Sequence, residues 1–144
     1  MYEQLAKEFI LISNDIYKFQ KNKIKLNLRG EASILIYLNK NDNELNITPG
    51  DLSNKLNIKT ARVAALLNNL EYKNLIRRRV NENDRRKIII DLTIQGKQKA
   101  EELKNVHLNK TSLILEKFGI NDAKEVIRLT KKLKTILESI DCED

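Results

Sequence analysis

Residues 57–93 read NIKTARVAALLNNLEYKNLIRRRVNENDRRKIIIDLT, and two hydrophobic periods within them decide the fold. Val63, Leu66, Leu67 and Leu70 recur at i, i+3, i+4 and i+7, the stripe of a helix that buries one side. Its opposite side carries Lys59, Thr60, Arg62, Ala65 and Asn69, a short polar and basic set gathered at the N-terminal end. From Leu75 the period falls to two. Ile76, Arg78 and Val80 alternate with Arg77 and Arg79, and Ile88, Ile90 and Leu92 alternate with Ile89 and Asp91. Two such strands flanking residues 81–86 predict a hairpin with a basic tip. Strict alternation would expose Ile89, so both faces of the second strand are expected to be partly covered.

Charge sharpens this reading. Residues 57–99 hold 11 Lys or Arg against 4 Asp or Glu, a surplus of seven that equals the +7 of the whole 144-residue chain. Outside them positive and negative side chains cancel. Positive charge confined to one short stretch is the footprint of a surface that meets a polyanion. A basic run taken alone is more often a solvated face, and for Arg77, Arg78 and Arg79 that plainer reading stands beside the functional one.

Upstream, Ile47-Thr48-Pro49-Gly50-Asp51-Leu52 is a compact helix start. Thr48 caps the first turn, Pro49 suits the first helical position, and Asp51 places negative charge at the positive helix end. Ile47 and Leu52 stand where a hydrophobic staple closes. Asn57 tolerates the left-handed conformation that ends this helix and turns the chain into the next. Two helices joined by a three- to four-residue turn, the second basic at its outer N-terminal face, make a helix-turn-helix. Asn74 ends that second helix in the same left-handed way.

Further out lie long amphipathic helices. Leu5, Phe9, Ile12, Ile16 and Phe19 step by 4, 3, 4 and 3 through a helix over 4–19, and Ile34, Leu35 and Leu38 face inward on a helix over 30–39. Residues 20–29 read as a connection and 39–46 as a polar loop. Thr93 caps a helix that runs to Gly119, with Asn121 expected to cap the last one. There Val126, Leu129, Leu133, Ile136 and Ile140 repeat the 3, 4, 3, 4 spacing. A domain this small has too little other surface to cover such wide stripes, so the terminal helices are expected to pair between subunits.

Composition narrows the function classes. With 41 % hydrophobic and 33 % charged residues, no stretch nears the roughly 20 apolar residues of a spanning helix, and Glu3, Lys7 and Glu8 interrupt any leader, so a cytoplasmic protein without membrane contact is expected. One cysteine, Cys142, forms no internal disulfide, and acidic neighbours keep it unreactive. One histidine, His107, reads as a surface or interface residue. No phosphate-cradling loop, catalytic triad or metal cage is present, so the chain is expected to be no enzyme and to need no cofactor or metal.

Helix, turn, basic helix and basic hairpin, in that order, form a winged helix. The stretch resembles the multiple antibiotic resistance regulator (MarR) family of transcription factors. Asp84-Arg85-Arg86-Lys87, then Leu92-Thr93 and Gly96, are similar to the family's D-x-R wing signature and its L-T-x-x-G helix start. Residues 48–75, with Leu70-Glu71-x-Lys73-x-Leu75, fit as well. The resemblance implies a mainly α fold with a small β-hairpin, a winged helix-turn-helix over about 30–95, and dimerisation helices over about 1–25 and 96–144 of a single domain. It implies a homodimeric repressor that binds double-stranded DNA at a pseudo-palindromic operator and responds to a small lipophilic or phenolic effector. Leu5, Phe9, Ile12, Ile16, Leu129, Leu133, Ile136 and Ile140 would form the dimer face. Lys59, Thr60, Arg62, Ala65 and Asn69 would line the major groove, with Arg62 reading guanine through its two-pronged donors. Arg77, Arg79, Asp84, Arg85, Arg86 and Lys87 would form the wing. There Arg86 enters the minor groove and Asp84 steadies its guanidinium. The alternative is a winged helix that binds RNA or protein without operator specificity. Lys59 and Asn74 depart from the capping Ser or Asp and the Gly usual in the family.

Overall fold

The computed structural model describes residues 1–23, 30–42 and 46–140, with the side chains of its first segment described through Lys18. Of the expected connection over 20–29, residues 20–23 continue the first helix and 24–29 lie outside the described residues, as do 43–45 of the polar loop, the Phe19 side chain and Cys142. In chain order the elements are α1 (Tyr2–Lys23), α2 (Glu31–Lys40), α3 (Pro49–Leu56), α4 (Thr60–Tyr72), β1 (Ile76–Val80), β2 (Ile88–Leu92), α5 (Ile94–Phe118) and α6 (Ile120–Ile140). The chain separates into two compact units, Met1–Leu103 and Lys104–Asp144.

The first unit is a winged helix around one apolar core. Ile34, Leu35 and Leu38 of α2, Leu52 of α3, and Val63, Leu67 and Leu70 of α4 meet Ile76, Ile90 and Leu92 of the hairpin. Ala100 closes the cluster from α5. Each such fully buried Leu or Ile contributes about 1.5–3 kcal/mol relative to an exposed one, which is why the stripes rather than helix propensity decide where the elements lie.

Local chemistry sets the joints. Thr48 and Asp51 form a reciprocal capping box: the Asp51 N–H donates to Thr48 Oγ1 at 3.2 Å and the Thr48 N–H donates to Asp51 Oδ2 at 2.8 Å. These bonds to the ionised carboxylate, from the Thr48 backbone first and its hydroxyl second, hold Asp51 below the usual carboxylate range. Ile47 and Leu52 are both buried as the staple requires. Asn57 and Asn74 both adopt positive φ, 51° and 56°, and so supply the left-handed turns that end α3 and α4. Asn74 thereby does the work of a glycine.

The strands pair antiparallel in the register Ile76↔Leu92, Arg78↔Ile90 and Val80↔Ile88. The Ile90 N–H donates to the Ile47 carbonyl at 2.9 Å, fastening the hairpin's other edge to the chain before α3. Ile89 is fully buried as anticipated, whereas Val80 and Ile88 stand exposed on the core-side face, because they lie beyond the reach of the core beneath. The Thr93 hydroxyl accepts from the Gly96 N–H at 2.9 Å and donates to the Asn74 carbonyl at 2.7 Å, joining the start of α5 to the end of α4. A Cβ on Gly96 would collide with the Leu75 carbonyl oxygen and lie 2.9 Å from its carbon, so only glycine fits there.

In the second unit Gly119, at φ 77°, separates α5 from α6, and Ala123 donates its N–H to the Gly119 carbonyl at 3.0 Å. Asn121 therefore lies inside the first turn of α6 instead of capping it. Glycine both stops one helix and starts the next, leaving no residue between them for a side-chain cap. Most of the apolar residues of α6 are exposed within this unit, as are all described side chains of α1 within the first. Among the described residues no helix is long and apolar enough to cross a membrane.

Candidate nucleic-acid interface

The N-terminal end of α4 is built by the turn before it. The Ser53 hydroxyl donates to the Ile58 carbonyl at 2.7 Å and lies 3.4 Å from the Thr60 hydroxyl. Lys59 occupies the N-cap with extended backbone and no side-chain cap bond. The first turn thus begins with free backbone donors beside a lysine, a setting that favours anions. With Val63, Leu67 and Leu70 drawn into the core, helical geometry turns Lys59, Thr60, Arg62, Ala65 and Asn69 outward, and all five are exposed.

The wing tip is organised by Asn81, whose side chain is nearly buried. Its Oδ1 accepts from the N–H groups of Asn83 at 2.8 Å and Asp84 at 3.1 Å, while its own N–H donates to the Lys87 carbonyl at 2.9 Å. Asp84 differs from the role drawn from the D-x-R resemblance. Its carboxylate accepts the backbone N–H of Arg86 at 3.1 Å and lies 4.0 Å from Lys87 Nζ, so it closes the turn and leaves the Arg86 guanidinium free. A short Asp side chain two residues before Arg86 reaches the backbone more readily than a guanidinium pointing away from the turn.

Arg77 and Arg79 are placed differently from the tip. Both turn to Asp91 of β2, at 3.7 and 2.7 Å, and share that side with Lys97, which pairs with Asp42 at 2.6 Å. Arg78 faces the other way and donates to Glu71 and Asn68 of α4. Lys73 pairs with Glu31 and Lys99 with Glu102. Seven of the 11 basic residues between 57 and 99 are therefore tied to carboxylates, Lys87 by the loosest of these pairs. The remaining four, Lys59, Arg62, Arg85 and Arg86, have side chains that make no bond or ion pair among the described residues. They fall at two places only, the start of α4 and the tip of the hairpin. Sequence spacing had no means of sorting tied cations from free ones, since Glu71, Asp91 and Asp42 reach their partners through the fold.

No group of three or more His, Cys, Asp or Glu that would hold a metal ion occurs among the described residues.

Comparison with known proteins agrees with this architecture. Over 73 residues the chain is 32 % identical to the HTH-type transcriptional repressor YetL of Bacillus subtilis (strain 168), a match spanning 51 % of this chain and 44 % of that relative. The chain thus matches less than half the length of that curated relative. The adhesin competence repressor AdcR of Streptococcus pyogenes superposes with a TM-score of 0.62 at 27 % identity, over 94 % of this chain and 97 % of that one. FabT of Streptococcus pneumoniae, solved in complex with DNA, shares the fold over 100 % of both chains, with a TM-score of 0.67 and 24 % identity. Residues 25–87, which span α2 to the wing tip, match the model of the MarR family.

Proposed function

We propose that the chain is a sequence-specific double-stranded DNA-binding regulator, a repressor that grips a pseudo-palindromic operator as a homodimer. The observation that supports this most is the sorting of charge. Of a basic stretch otherwise neutralised by the fold, the cations left free stand at the two points where a winged helix meets a duplex. In this reading Lys59 and Thr60 serve phosphates, and Arg62, Ala65 and Asn69 face base edges in the major groove. Arg85 and Arg86 carry the wing into the narrow minor groove, where negative potential is concentrated. Asp84 and Lys87 shape the tip, and Arg77 and Arg79 add to the positive field from the hairpin's flank.

The dimer is supported by surface that one chain leaves open. Leu5, Phe9, Ile12 and Ile16 of α1 and Leu129, Leu133, Ile136 and Ile140 of α6 are between 44 % and 63 % exposed, large aliphatic and aromatic groups in continuous rows. Rows of that kind mark an interface. Two-fold pairing brings two recognition helices to half-sites about 34 Å apart, one turn of the duplex. A small lipophilic or phenolic effector would release the operator by favouring a spacing of the two helices that DNA does not fit. Such a regulator works in the cytoplasm, where the chromosome is.

Selection from a random duplex pool, followed by titration of the chosen duplex at rising salt, tests the proposal. We expect a preferred two-fold sequence and a log–log slope of roughly −0.9 for each phosphate neutralised. A slope near zero would end the polyanion reading. Equal binding to duplex RNA, whose deep and narrow major groove excludes α4, would favour a module without operator specificity.

A further inference from the structure

We infer that Arg78 is a positioning residue that holds the wing at a fixed attitude to α4, so that helix and tip engage one duplex together. The inference rests on the DNA-reading function proposed above. Arg78 lies at the centre of β1, opposite Ile90. Its Nη1 donates to Glu71 Oε2 and its Nη2 to Asn68 Oδ1, the latter at 2.8 Å. Asn68 and Glu71 stand three residues apart on one face of α4. A single planar guanidinium therefore grips the helix at two points, which restricts rotation as well as distance. With its side chain 29 % exposed, Arg78 is directed into the angle between helix and hairpin, away from open solvent.

The neighbouring arginines do not share this task. Arg77 and Arg79 bond to Asp91 on the partner strand, which stiffens the hairpin without setting its direction. At the root, Thr93 ties to Asn74 and Leu75. Between that root and the tip, Arg78 makes the only side-chain bonds from the hairpin to α4 among the described residues. A two-stranded ribbon is marginal by itself, and a small swing at its root becomes a displacement of ångströms at Arg86. Where only a fraction of molecules hold the competent attitude, affinity falls by that fraction.

The test is a double-mutant cycle on the duplex that the wild-type chain selects from a random pool, with Arg78→Ala, Arg86→Ala and both together. Arg78→Ala is expected to weaken binding by up to about tenfold, the ceiling for one competent attitude in ten, and to blunt the cost of Arg86→Ala, because molecules with the wing displaced bind through α4 alone and make no use of Arg86. The charge swap Glu71→Arg with Arg78→Glu should recover most of the affinity that Arg78→Ala loses, since Asn68 offers an amide donor as readily as its carbonyl. A DNA-contacting Arg78 would instead show independent losses that multiply, and the swap would weaken binding further; either result overturns the inference. Asn68→Ala, which removes half of the grip and leaves the ion pair, carries the same cycle should Arg78→Ala fail to fold. If the wild-type chain selects no duplex, the regulator reading falls and this inference with it. A duplex bound equally well by Arg78→Ala removes this inference alone.

Discussion

Arginines at the root and at the tip of the same hairpin behave differently. Arg77, Arg78 and Arg79 are held by Asp91, Glu71 and Asn68, while Arg85 and Arg86, only a few residues later, extend from a turn closed by Asn81 and Asp84. Each arginine of either group adds the same unit to the net charge of +7. A cation already facing a carboxylate within 4 Å has less left to offer a phosphate, whereas a free one releases counterions when it meets DNA. The contrast teaches that net charge reports the presence of a polyanion surface, and the distribution of internal partners reports where it is.

The largest expected effect lies at the root. Gly96→Ala drives a methyl group into the Leu75 carbonyl and should lower unfolding stability by about 3 kcal/mol, overpacking at its upper range, read from the denaturant midpoint. Glu82→Ala at the exposed tip should change it by less than about 0.5 kcal/mol. Equal shifts for the two would erase the distinction between a built root and an open tip.

Next comes binding. Arg62→Ala and Arg86→Ala should each cost about 1–3 kcal/mol at the selected duplex, with stability unchanged. Arg62→Ala should also relax sequence preference, and a preference left intact would reduce Arg62 to a phosphate contact. Sedimentation should show both variants in the same subunit state as the wild type.

A control away from the hairpin is Thr48→Ala, expected to cost about 1 kcal/mol through loss of the α3 cap. Because the Asp51 carboxyl is held below its ordinary value in the folded chain, it contributes stability that is present above that value and lost as pH falls through its folded-state pKa. Thr48→Ala, which keeps the Thr48 N–H that lowers the Asp51 pKa most, should flatten this part of the acid limb only partly, whereas Asp51→Asn should abolish it; a limb unaltered by Asp51→Asn would remove Asp51 from the account.

The smallest effect sharpens the contrast directly. Asp91→Asn frees Arg77 and Arg79 at a stability cost of about 0.5 kcal/mol, as for partly exposed pairs. Binding to arbitrary duplex should tighten and its salt slope steepen by up to about two phosphates. An unchanged slope would show that the flank never reaches DNA.

Much of this was legible in the chain itself. The 3.6 and 2 periods placed α1, α2, α4, α6 and both strands, because burial imposes those periods on any element with one covered face, while cap and stop residues placed α3 and α5. Thr48, Pro49, Asn57 and Asn74 announced joints that depend on neighbouring backbone alone. Asp84 departs from its expected role for a related reason: two residues from Arg86, it satisfies a local backbone donor, and spacing does not distinguish that bond from one to the guanidinium. Spacing points to Asn121 as a cap, and it does not act as one because Gly119 serves two helices at once.

Sequence by itself determined the elements, their order, the basic stretch and the apolar rows, since each follows from residues within a turn or two of one another. Only tertiary structure decided which cations are spent. Glu71 and Asn68 on α4, Asp91 on β2 and Asp42 in the turn after α2 come within bonding distance of Arg78, Arg79 and Lys97 because the core draws α2, α4 and the hairpin together. Ion pairing falls off over a few ångströms, and such proximity belongs to the folded chain.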